Sequence, residues 1–134
     1  MDSNNGGFNM TAETRKLVEL YLENEKLVFE TWYTKIVSKE IGIEEGELTG
    51  AMPPLEDIVF KFKKWCGDNY KLLKKIVCED FDYPGKKDTI RNAIDLAILL
   101  VPFVENKVDF PYEVVAILIL LGCDKLCAEI GVNG

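Results

Sequence analysis

From Val114 to Leu121 the chain runs eight apolar residues in succession. Wound as an α-helix at about 100° per residue, such a run has no polar side, so other elements have to surround it. It is far shorter than the roughly twenty residues a membrane span requires. Pro111 is suited to a first helical turn, and the pattern predicts a last helix from Tyr112 to about Ile130 lying at the centre of the fold.

The remaining segments carry helical periods as well. Thr11 is placed to cap a helix beginning at Ala12, with Glu13 in its first turn. The pattern continues to Ile41 and puts Leu17, Val18, Tyr21, Val28, Phe29, Trp32 and Ile36 on one broad face. Glu25 falls inside that face, which predicts either a break at Asn24, itself a good cap, or a paired and partly buried Glu25. Glycines and prolines between Gly42 and Pro54 make a connector, acidic through Glu44, Glu45 and Glu47. From Leu55 to Val77 the apolar positions again share one half of the helical wheel, with a kink or junction expected at Gly67-Asp68. Asp88 is a plausible cap for a helix from Thr89 to about Val101, and Pro102 should end or bend it. No repeat and no alternating strand pattern occurs. The expectation is an all-α, single-domain bundle of five or six helices spanning 11–134, with its hydrophobic C-terminal helix central, behind a flexible leader at 1–10.

Composition removes several chemistries. The chain contains no histidine, and its two serines, Ser3 and Ser38, lie in no glycine-framed nucleophile turn. Imidazole-based catalysis within one subunit and a serine nucleophile are both disfavoured. A net charge of −7 repels phosphate backbones, and fourteen of the sixteen basic residues are lysine, with Arg15 and Arg91 the exceptions. Nucleic acid is therefore not an expected partner. No charged-then-apolar leader opens the sequence, which gives the expectation of a cytoplasmic protein whose Cys66, Cys78, Cys123 and Cys127 are reduced thiols. Cys66 and Cys78 point about 120° apart around their helix, which speaks against a four-cysteine zinc site. Asp80 and Asp82 begin like a calcium loop, but Pro84 and Arg91 stand where ligands are needed. No cofactor is expected.

Two features qualify as binding surfaces. Lys61, Lys64, Lys71 and Lys75, with Lys63 and Lys74, form a basic stripe opposite the apolar side of their helix, and Phe60 lies at its edge as an exposed anchor. Glu44, Glu45 and Glu47 form the complementary acidic patch.

Glu44 and Glu47 together with Glu79 and Asp82 match the Glu-x-x-Glu and Glu-x-x-Asp letters of the all-α nucleotide pyrophosphohydrolases, which the chain resembles in size. The resemblance covers these four residues and implies magnesium-dependent hydrolysis. The residues themselves favour a non-enzymatic module that binds another protein, a basic one or a second copy of itself. An immunity protein or antitoxin that covers a basic toxin is the alternative of the same acidic character.

Overall fold

The computed structural model describes residues 11–48 and 50–133, with side chains up to residue 128. The expected leader at 1–10 lies outside the described residues, as do positions 49 and 134. Seven α-helices of five residues or more are present among the described residues, and no strand.

Helix α1, Ala12–Glu23, is capped by Thr11, whose Oγ1 accepts from the Thr14 amide at 3.0 Å. Asn24 breaks the chain and caps α2, Glu25–Ile41, accepting from the Leu27 amide at 3.1 Å. The break turns Glu25 outward, so it is exposed and needs no buried partner. Gly42 ends α2 in a left-handed conformation, φ 77°, which glycine adopts without a Cβ penalty. A 3-10 turn at Glu45–Glu47 precedes α3, Leu55–Asp68, and α4, Tyr70–Lys74, which runs directly into a π-helical segment at Lys75–Asp80. A single helical turn, Tyr83–Lys86, then leads to α5, Ala93–Val104, α6, Pro111–Leu121, and α7, Cys123–Asn133.

The expected five or six helices become seven because the third segment divides near its expected junction and the last pattern, which reads as continuous, is interrupted. The junction in the third segment falls at Asn69, one residue past the expected site, where Nδ2 donates to the Trp65 carbonyl at 2.9 Å. The last segment breaks at Gly122, φ 104°. The C-terminal helix is therefore not the central one. It is the penultimate helix, α6, that packs against α1, α2 and α5 and buries six consecutive residues, Glu113 to Leu118. Asn92 rather than Asp88 caps α5, accepting from the Asp95 amide at 2.9 Å. Asp88 instead belongs to a short 3-10 turn at Lys87–Thr89. Pro102 stays inside α5, two residues from its end.

Cys78 and Cys127 are joined in a disulfide with their Cα atoms 5.6 Å apart, which corrects the expectation of four reduced thiols; Cys66 and Cys123 are free. The pair is separated by 49 positions in sequence, and only the packing of α7 on the π-helical segment brings it together. No helix among the described residues is long and apolar enough to cross a membrane.

Candidate functional site

The sequence of α3 separates an aromatic inner face from a basic outer one. Ile58 and Phe62 are fully buried, while Trp65 and Cys66 are half-buried beside them. The rings of Phe29, Trp32, Phe62 and Trp65 form one cluster, with edge-on contacts of 5.9 Å for Phe29–Phe62 and 4.9 Å for Trp32–Phe62. Phe62 and Trp65 are 5.5 Å apart. Residues two apart on a helix diverge by about 200°, so Phe60 points away from this cluster and is 71% exposed. Lys63 and Lys64 are exposed beside it.

Between α2 and α3 lies a cavity of about 250 Å³, where Trp32, Trp65 and Ile36 meet two lysines, Lys61 and Lys64, and two carboxylates, Glu40 and Asp68. The indole Nε1 of Trp32 is buried without an acceptor among the described residues. Lys61 reaches Glu40 at 3.4 Å, a pair exposed on both sides and therefore of small energetic consequence.

Two lysines of the basic stripe are paired within the chain. Lys75 stands at the start of the π-helical segment and donates to Asp80 at 2.9 Å. That hydrogen bond holds the Asp80 carboxyl below its ordinary range and raises the Lys75 ammonium in return. Lys61 and Lys75 are thus compensated within the chain. Lys63, Lys64 and Lys71 have no ion-pair partner among the described residues. Lys71 lies past the Asn69 junction, on α4, so among the described residues Lys64 is the expected stripe residue that both lines the tryptophan cavity and has no ion-pair partner.

Glu44, Glu45 and Glu47 are all exposed. Glu47 folds back so that its Oε1 accepts from the Glu44 amide at 3.1 Å, which fixes the turn. Glu44 and Glu45 share a second cavity, about 350 Å³, with Lys35, Lys39 and Phe110. Lys39 is itself paired with Asp109. Among the described residues no three acidic or cysteine side chains converge as a cation site, so Glu44, Glu47, Glu79 and Asp82 do not assemble the magnesium ligands that the resemblance implies.

A third group was not singled out by the sequence. Glu113, 1% exposed on α6, accepts from the Tyr21 hydroxyl at 2.6 Å and from Lys35 Nζ at 3.0 Å. Burial, reinforced by the hydrogen bond to Glu113 and its negative charge, raises the Tyr21 hydroxyl well above its ordinary value. Lys35 also lies 5.9 Å from the ring centre of Phe110, a residue in the left-handed region at φ 57°. One residue each from α1, α2 and α6 meets here, and the arrangement braces three helices. The available signal was a lone carboxylate at the head of the apolar run.

No protein-family model matches the chain, and neither a curated protein nor a solved structure shows significant similarity to it.

Proposed function

We infer that the protein is a non-enzymatic binding module whose outer α3 face, Phe60 with Lys63 and Lys64 beside the tryptophan cavity, takes an acidic segment of a partner protein that carries one aromatic or apolar anchor. The observation that carries this reading is the pairing of a 71% exposed phenylalanine with lysines that have no counter-ion among the described residues, on a chain of net charge −7. An exposed ring costs solvation and contributes most when a partner covers it. Uncompensated lysines supply complementarity and a salt-dependent association rate.

The exposed acidic turn favours a second reading, in which Glu44, Glu45 and Glu47 dock a basic protein in the manner of an immunity protein. A random peptide library displayed against the full chain separates the two. Acidic sequences built around an aromatic residue, lost with Phe60→Ala or Lys64→Glu, support the α3 face. Basic sequences lost on replacing Glu44 and Glu45 support the turn. A cytoplasmic setting accompanies either reading only where the Cys78–Cys127 bond can be reduced and re-formed.

A further inference from the structure

We propose that the Cys78–Cys127 disulfide is a reversible redox site, reduced by a dithiol that enters beside the Tyr83–Pro84 turn, and that its reduction releases α7 from the bundle.

The anchoring of α7 points this way. From 123 to 128 only the two cysteines are buried, Leu126 is half-buried, and Asp124, Lys125 and Ala128 are exposed. Beyond them, Leu126 packs against the core from its half-buried position, and Asp124 pairs with Lys87 at 3.2 Å and accepts from the Tyr83 hydroxyl, contacts at the surface that restrain weakly. The contrast with α6 is large, since that helix buries six residues in a row. The disulfide is thus the covalent fastening of a helix that is sparsely buried in its described part. Its other end lies in the π-helical segment, where the Phe81 amide bonds five residues back to Ile76 at 2.9 Å. Such turns are rare in helices and recur at functional sites.

Access is built in. A cavity of about 320 Å³ is lined by Tyr83, Pro84, Lys87, Asp124, Cys127 and Ala128. Asp82, itself at φ 60°, accepts from the Gly85 amide at 3.2 Å and closes the turn, and a Cβ at position 85 would displace that carboxylate. Cys127 lines the cavity and Cys78 does not, so the proposed attack is on the Cys127 side of the bond. A thiolate of the dithiol bonds to Cys127 Sγ while the bond to Cys78 breaks, and Cys78 leaves as a thiolate that takes up a proton. The second thiol of the reductant, deprotonated, then attacks the mixed disulfide. It closes the reductant's own disulfide and frees Cys127, which is protonated in turn. Two electrons and two protons pass from the dithiol to the protein pair. The free thiols do not compete, because burial pushes both Cys66 and Cys123 up to about 12 and keeps them protonated.

The test uses the full chain in native buffer with reduced dithiothreitol as the dithiol, iodoacetamide labelling to count thiols, and hydrogen exchange read by mass. The expected result is reduction of the pair in folded protein, with backbone exchange across 123–133 at least tenfold faster, exchange across 111–121 unchanged, and full reversal on reoxidation. Cys127→Val should show the same rapid exchange without reductant. The proposal is overturned if the pair is reduced only after global unfolding. Unchanged exchange of 123–133 on reduction, full-rate exchange already in the oxidised protein, or a uniform rise across the whole chain would each overturn it too.

Discussion

The hydroxyl of Tyr21 lies 2.6 Å from the carboxylate of Glu113, across 92 positions of sequence, and this contact ties the first helix to the most deeply buried one. A carboxylate in an otherwise apolar helix is costly to bury unless its oxygens are satisfied. Tyr21 and Lys35 both bond to the same oxygen, and they come from the two helices that must lie against α6 for the bundle to close. The network therefore acts as a registration device: slippage of either helix would leave a buried charge without its partner.

Removing one member should cost more than removing all three. Tyr21→Phe is expected to destabilise the fold by about 1–3 kcal/mol, because the buried carboxylate keeps its desolvation and loses a donor. The triple variant Tyr21→Phe, Lys35→Met, Glu113→Leu is expected to cost less than that single change, since apolar side chains of similar volume can fill the same space. Urea unfolding of both variants decides the matter, and a triple variant that loses the sum of the single effects would contradict the network.

Alkaline pH should weaken the fold through groups that stay protonated only when buried. The Cys123 thiol is raised from 9.0 to about 12 and the Tyr21 hydroxyl above 10.0, in each case chiefly by burial. Between the unfolded and folded values the native state holds protons that the unfolded chain has released. Stability is thus fully present below pH 9 and declines as pH rises, by at most about 1.4 kcal/mol per pH unit for each group. Cys66, raised equally, adds to the same decline; denaturant midpoints should fall from pH 8 to pH 10, and Cys123→Ala together with Cys66→Ala should flatten the first part of the decline. A flat profile would contradict the burial of these groups.

Phe60 and Phe62 should respond in opposite ways. Phe62→Ala removes the centre of the aromatic cluster and is expected to cost about 3–5 kcal/mol. Phe60→Ala is expected to change stability by less than about 0.5 kcal/mol. Thermal melts of the two variants measure this directly. Simultaneous replacement of Lys64, Lys71 and Lys75 should likewise leave the melting temperature nearly unchanged, because only the exposed Lys75–Asp80 pair is lost.

Local signals were legible wherever a short side chain satisfies nearby backbone. Thr11 and Asn24 announce their helices because their oxygens reach amides three residues away. The outward direction of Phe60 followed from spacing alone. Asn92 competes for the same role as Asp88 four residues earlier, and only packing selects between them. Gly122 carried a helix-ending signal, but the apolar residues before it and Leu126 after it kept the helical period in phase. The Cys78–Cys127 bond and the Glu113 brace were hidden for another reason: each joins residues brought together only by the tertiary fold, and no spacing rule encodes such meetings.

The most direct test of the binding reading places a photoreactive benzoylphenylalanine at position 60, with the same group at Leu99, an exposed site on α5, as the control. Irradiation in the native host should yield one discrete adduct from position 60, attached to an acidic stretch of a partner protein, absent from position 99 and lost when Lys64 is changed to Glu. Equal adducts at both positions, no adduct at position 60, or an adduct that survives Lys64→Glu would contradict the account.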